Sequence, residues 1–276
     1  MKDLIVAEIE SLPPLPQTLM KLQQVCQNSE VTPKEVANII ETDPFLVANI
    51  IKFANSPLFG SSKQINSVLQ AVLMFGISTT KGLAIASAIK AQFNINLAPY
   101  GLKTNDFIEA SNAKHFFILQ WYNNKPQLDI LCPLAFVMHI GMVLIANRFT
   151  EVNLIVDKSP ANFNFEILKA TEKSIAGYHH LEILTLLFEH WNFEKTMVET
   201  IRNIENITIP FSLREYVMPL QALNLLIYPY AIATKEQIKI ARDFVIKNNL
   251  DIQGFDETLL KMNFINELSE LSSSNE

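Results

Sequence analysis

Apolar residues recur at helical spacing through most of the chain, and the breaks between the runs are readable. Leu12-Pro13-Pro14-Leu15-Pro16 cannot continue a helix, because each proline lacks a backbone N–H and biases its predecessor to extended geometry. Beyond it, Leu19, Leu22 and Cys26 fall on one face. Thr32-Pro33-Lys34-Glu35 is a capping box with proline at the first helical position, so a helix is expected there with Val36, Ile39 and Ile40 turned inward. Asp43-Pro44 marks a further start, its carboxylate ready to accept from orphan N–H groups, ahead of the stripe Leu46, Val47, Ile50, Ile51 and Ala54. Residues 55–63, NSPLFGSSK, read as a loop, with Asn55 and Ser56 closing the helix before it through local backbone bonds.

Two more helices are expected over Ile65–Phe75 and Thr79–Phe93, divided at Gly76. The Ala, Ile and Gly content of the second lets neighbours approach closely. Residues 94–104, NINLAPYGLKT, have Pro, Gly and Asn and no helical period. They are the expected boundary between an N-terminal helical subdomain, residues 1–100, and a second bundle, residues 101–268. Helices are expected there near Asp106–Tyr122, Leu131–Phe149, Phe163–Ala176, Leu181–Trp191 and Glu194–Asn206, with a loop around Asp157–Asn162. Residues 207–220 carry two prolines and are expected to be irregular. Thr234-Lys235-Glu236-Gln237 is a second capping box, opening a helix that reaches about Asn248. Residues 269–276 read as a frayed tail. Strand-like alternation is weak and confined to 152–156 and 206–211, and no fixed-period repeat is present. The predicted fold class is all-α.

Composition narrows the functional classes. With 49% hydrophobic and 18% charged residues the chain is a compact globular one rather than a disordered one. A net charge of −6 without a long Lys/Arg run lacks the positive footprint that phosphate neutralisation needs, so no nucleic-acid partner is expected. Cys26 and Cys132 form no CxxC pair and sit in apolar patterns, which suits a reducing cytoplasm. The start MKDLIVAEIES shows no cleavage site, so no signal peptide is expected. The run Ile130–Ala146 is short for a membrane span and holds Pro133 and His139; it is expected to be a core helix.

Residues 39–89, IIETDPFLVANIIKFANSPLFGSSKQINSVLQAVLMFGISTTKGLAIASAI, place these breaks in a specific order. Together with LPPLP, the Asp43-Pro44 start, the Ala54-Asn55-Ser56 end and the Phe75-Gly76 break, the stretch resembles the HDOD family, output domains related to the HD phosphohydrolases. The resemblance extends over about residues 5 to 250. It implies a helical N-terminal subdomain packed on an HD-like bundle, and a role in bacterial signal transduction. No receiver-like or GGDEF-like segment is recognised, so an input domain is expected on a separate protein.

The HD family's metal-binding His-Asp pair sits in a pattern of a small residue, two apolar residues, His, Asp, Ile and Gly. On LAFVMHIG, 134–141, that alignment puts Met138 at the His position and His139 at the Asp position. A thioether is a poor ligand for a hard divalent ion, and one imidazole does not restore the pair. An earlier family His falls near Ala110 or Ser111, with His115 one turn away. EKSIAGYHHLEILTLLFEHW, 172–191, resembles the family's second block through Glu172, Gly177, His180, Glu182 and Trp191, and the paired histidines beyond it correspond to Ile204 and Glu205. His179 and His180, being adjacent, point about 100° apart on a helix, so only one can face a site.

His139 is therefore expected to be a buried, hydrogen-bonded core residue at a degenerate site. If a metal site exists, it comprises His139, Glu172 and His180, since two imidazoles and a carboxylate can bind zinc or iron. There is no glycine-rich phosphate loop and no GxSxG elbow, and Cys132 lies in an apolar run unsuited to a thiolate. The expected protein is thus a pseudoenzyme without cofactor, a signalling or regulatory module acting through a protein partner. One alternative is a sensor of a nucleotide or cyclic dinucleotide in the vestigial pocket. The other is a metal-dependent phosphohydrolase.

Overall fold

The computed structural model describes residues 2–26, 28, 30–55, 64–123, 125–156 and 165–266. They form an all-α fold, in keeping with the sequence. The first helices are α1 (Lys2–Glu10), α2 (Gln17–Val25), α3 (Pro33–Ile40), α4 (Pro44–Ala54), α5 (Val68–Phe75) and α6 (Ile77–Ala91). Their limits follow the capping chemistry. Thr32 accepts from the Glu35 N–H while the Glu35 carboxylate accepts from the Thr32 N–H. The Asp43 carboxylate accepts from the N–H groups of Phe45 and Leu46. Asn55 ends α4 and ties it to the strand of chain leading into α5, donating to the carbonyls of Ile51 and Ile65 and accepting from the Ile65 N–H. Ser56 lies outside the described residues.

The second half contains α7 (Thr104–Trp121), α8 (Leu128–Val137), α9 (Gly141–Glu151), α10 (Phe165–Ala176), α11 (His180–His190), α12 (Lys195–Asn203), α13 (Arg214–Leu226), α14 (Lys235–Lys247) and α15 (Ile252–Lys261). A two-residue antiparallel pair, β1 (Ile227–Tyr228) with β2 (Ala231–Ile232), joins α13 to α14. Helices α2 to α5 gather around α6, which packs along α8. At that crossing Gly82 faces Cys132 and Pro133: a Cβ there would lie 3.1 Å from each side chain. Helix α8 then meets α7 and α13, while α9 meets α10 and α11. The N-terminal segment is fastened to the end of α11 and to α9 by polar bonds. Trp191 Nε1 donates to the Pro13 carbonyl at 3.1 Å, and Arg148 pairs with Glu8 at 3.1 Å.

Four expectations need correction. The apolar run near 131–149 is two helices, because residues 138–140 tighten into a turn: the N–H of Ile140 reaches the Val137 carbonyl and that of Met142 reaches the His139 carbonyl. The break lets Gly141 come against the start of α11, where an added Cβ would lie 2.1 Å from the His180 carbonyl oxygen. Residues 207–220 are only partly irregular: α13 begins at Arg214 and runs through Pro219. Burial of Val217, Met218, Leu220 and Leu223 outweighs the roughly 3 kcal/mol that an interior proline costs. The weak strand candidates are not strands. Residues 152–156 cap α9, with Asn153 in the left-handed region (φ 54°), and 206–211 lead into a short 3-10 turn. Helix α15 was not foreseen. The loop expected at 157–162 and the tail at 269–276 lie outside the described residues.

The stretch Leu128–Glu151 is long and apolar enough to cross a membrane by composition alone, yet 89% of its most apolar window is buried inside the protein. It is the core of the bundle.

His115 shows how completely the interior excludes charge. Its Nδ1 lies 3.2 Å from the Cys132 carbonyl, and the rings of Phe53 and Phe136 meet it edge-on. Burial pushes the imidazole down to about 4, opposed by the bond to Cys132.

Two predictions follow from the packing. Gly141→Ala should lower unfolding stability by ~1–3 kcal/mol or more, measured by urea titration, because the new methyl overlaps backbone that cannot rotate away. For His115 the unfolded chain takes up the proton first, so stability complete above pH 6.5 declines as pH falls toward 4. The full loss is on the order of 3 kcal/mol, at about 1.4 kcal/mol per unit. His115→Phe should flatten the pH dependence of the urea midpoint between pH 6.5 and 5.

Candidate functional site

The HD-like bundle carries a buried polar cluster where the second-half helices converge. Helix α7 supplies Lys114, the turn after α8 supplies His139, α10 supplies Glu172, and the first residue of α11 supplies His180. Tyr100, Asn224 from α13 and Tyr228 from β1 complete it. Lys114, His139, Glu172, His180, Tyr100 and Tyr228 are each 2% exposed or less.

Two hydrogen-bonded groups meet in this cluster. In the first, the Glu172 carboxylate accepts from the Tyr100 hydroxyl at 2.8 Å, from His180 Nδ1 at 2.8 Å and from the His180 backbone N–H at 3.0 Å. In the second, Lys114 Nζ bonds His139 Nε2, donates to Asn224 Oδ1 at 3.1 Å and lies 3.4 Å from Met138 Sδ. The same nitrogen sits 5.8 Å from the centre of the Tyr228 ring. The His139 and His180 rings join the groups, their centroids 5.1 Å apart.

Electrostatics follow from burial. Desolvation pushes the Lys114 amine well below its ordinary 10.5. Desolvation, then the charge of Lys114 and that of His180, push His139 well below 6.5, with the nearby Asn224 amide acting weakly the other way. For Glu172, burial acts upward, but the charge and hydrogen bonds of His180 and the Tyr100 bond outweigh it and hold the carboxyl below 4.5.

The structure brings His139, Glu172 and His180 together, as the sequence proposed for a metal site if one exists. It also shows that their donor atoms are already engaged. Both Glu172 oxygens, His180 Nδ1 and His139 Nε2 have protein partners. Only His139 Nδ1 and His180 Nε2 are buried without one. A divalent ion there would have two imidazole nitrogens, no uncommitted carboxylate, and a lysine amine beside it. Among the described residues no group of three His, Cys, Asp or Glu side chains could hold a metal ion. The residues present do not fit an HD-type metal centre.

The other histidines are elsewhere. His115 points toward α4 and α8, about 100° around α7 from Lys114. His179 is not on a helix face: it caps α11, its Nδ1 accepting from the Leu181 N–H at 3.2 Å while Glu182 accepts from the His179 N–H at 2.9 Å. His190 Nε2 lies 3.3 Å from the Leu12 carbonyl. Of the two positions matching the family's paired histidines, Ile204 is buried, and Glu205 pairs with Lys169 at 3.1 Å. Lys114, Tyr100 and Asn224 were missed by the sequence reading. A signal for Lys114 existed, since it continues the inward stripe Phe107, Ala110, Ser111 of α7.

A second feature is an open groove of about 490 Å³ between α4, α6 and α7, where the N-terminal helices meet the bundle. It lies on the opposite face of α7 from Lys114, and it is partly open to solvent.

Comparison with known proteins agrees with this architecture. A virulence factor from Campylobacter jejuni subsp. jejuni shares 25% identity, with 96% of this chain and 97% of that chain covered and a TM-score of 0.58. A protein named as a candidate phosphohydrolase from Shewanella amazonensis is 22% identical with a TM-score of 0.63, covering 94% of each chain. One named as a candidate signal transduction protein from Marinobacter aquaeolei is 20% identical with a TM-score of 0.67, covering 96% of this chain and 60% of that one. The chain spans 40% of the length of the curated relative it matches, an uncharacterized protein of Treponema pallidum that is 22% identical over 219 residues. The family model of the HDOD domain matches residues 12–207, and with the helical order above this places the chain in the HDOD family.

Proposed function

We propose that this HDOD protein is a non-catalytic regulatory module of signal transduction, cytoplasmic, with an N-terminal subdomain over residues 1–100 on an HD-like bundle over residues 101–268. It acts by contact with a protein partner. The observation that carries this reading is the buried Lys114 amine, bonded to the buried His139 and to the part-buried Asn224. Metal-assisted phosphoryl hydrolysis needs an open coordination position, a polarised water and a path for substrate. Here an amine holds His139 Nε2, Glu172 and His180 are bonded to each other, and of the cluster's side chains only Asn224 is part-exposed. The signal transduction named for one structural neighbour and the phosphohydrolase named for another are both compatible with the fold; the side chains favour the first. A shape that has lost the donors of a hydrolase still presents surfaces, and the groove beside α4 and α6 is an apolar one with room for a partner.

The direct test is metal content and turnover on protein purified without chelator. Manganese, iron and zinc should be well below one equivalent, and hydrolysis of phosphomonoesters, phosphodiesters and cyclic dinucleotides should match heat-killed controls. One bound equivalent of a divalent ion, with turnover abolished in His180→Ala, would overturn the reading. Lys114 itself should be structural. Lys114→Ala should cost ~2–4 kcal/mol in urea denaturation, from the cavity and the acceptors left without a donor. Lys114→Met, which restores most of the volume, should cost less, and neither variant should gain hydrolysis.

A further inference from the structure

We infer that the groove between α4, α6 and α7 receives an acidic amphipathic helix of a protein partner. This rests on the reading above that the chain works through protein contact, and it adds the chemistry of that contact.

The walls are organised by helical repeat. Helix α4 presents Phe45, Asn49 and Phe53, and α7 presents Ile108, Asn112 and Phe116, each row at intervals of four residues. Nine residues of helix span ~12 Å, so each row offers about two turns of surface to a helix lying across the mouth, and the rows meet where Phe53 stacks on Phe116. Phe53 and Phe116 stack face to face, 5.2 Å between centroids, and make an apolar wall. At the rim Phe45 is 53% exposed, although it is a large aromatic side chain. An aliphatic or aromatic anchor entering the groove would cover Phe45 and the open side of Phe53, and Asn49 and Asn112 offer amides to the polar flank of the same helix.

Charge selects the sign of the occupant. Lys52 and Lys90 line the groove, and no carboxylate does. Among the described residues neither lysine has an ion-pair partner. Burial, then the charge of Lys52, push the Lys90 amine below its ordinary 10.5, and an anion seated between the two lysines would offset both effects. A positive patch of this kind in a chain of net charge −6 is complementary to Asp and Glu. A phosphate ligand is the less suited anion. The lining has no arginine fork, and the N-terminus of α4 is already satisfied by Asp43. Two separate lysine charges match carboxylates spread along a helix.

The test is a display selection of random peptides, about 16 residues long, against the wild-type protein, with a Lys52→Glu/Lys90→Glu variant used for counter-selection. Enriched peptides should carry Asp or Glu beside aliphatic or aromatic residues at i, i+3, i+4 and i+7. Their affinity should fall about tenfold or more in the double variant and weaken with added salt. Lys52→Gln/Lys90→Gln serves if charge reversal disturbs folding, which circular dichroism would reveal. Three outcomes overturn the inference: no enrichment, enriched peptides without acidic residues, or equal binding to the variants. Saturable binding of a nucleotide that displaces the selected peptides would also overturn it, in favour of a small-ligand site. None of these touches the metal and turnover assay, so failure here is distinguishable from failure of the non-catalytic reading.

Discussion

The second half of this protein is built around an amine, Lys114, that meets no carboxylate among the described residues. Burying the head of a lysine costs several kcal/mol unless its hydrogens find acceptors and its charge is neutralised or shed. Lys114 meets both conditions partly. Three acceptors surround Nζ, and burial shifts its protonation equilibrium well downward. The same nitrogen fixes the His139 ring, and through that ring it sets the spacing to His180. Removing it would expose no useful coordination site without also breaking the arrangement that orders the histidines.

That arrangement depends on two close backbone approaches. Gly82 lets α6 settle on α8 at Cys132 and Pro133, and Gly141 lets α9 reach the first turn of α11. The second contact positions His180 while its own N–H is turned to Glu172. Glu172 in turn holds Tyr100, so the segment joining the two halves is locked to the polar cluster by a hydrogen bond between residues 72 apart. Tyr230 adds a bond to the Tyr100 carbonyl at 2.9 Å. The joining segment is thus anchored by the chemistry of the bundle rather than by its own local structure.

Much of the fold was legible in the sequence because caps act locally. Thr32 with Glu35, Asp43 and Thr234 with Gln237 each form the bonds their spacing implied. Where tertiary packing decides, local rules failed. Pro219 reads as a stop, but the burial around α13 overrides it. The turn at 138–140 was hidden inside an uninterrupted apolar run, because its cause is a contact with a helix start forty residues onward. The candidate site was half legible. His139, Glu172 and His180 were identified through the family pattern and do converge. Lys114 was not, because a lysine on an amphipathic helix is ordinarily solvated, and only the packing of α8 and α13 over its face makes it interior. The groove left still less trace. Its phenylalanines look like core at the level of sequence, and the exposure of Phe45, Phe53 and Phe136 is a property of how the helices diverge.

Helix α7 links these two features, and its periodicity explains why they are separate. Phe107, Ala110, Ser111, Lys114 and Phe117 face the bundle, while Ile108, Asn112 and Phe116 face the groove. His115 lies next to the second face and is sealed by Phe53 of α4, so the wall of the groove rests on a neutral imidazole. A helix packed on both sides and held from behind by a buried, hydrogen-bonded cluster is a good platform for recognition, since less ordering entropy remains to oppose binding. Burial on one face of α7 therefore fixes the other, and the aromatic rings and lysines of the groove stand on a helix held in place from behind.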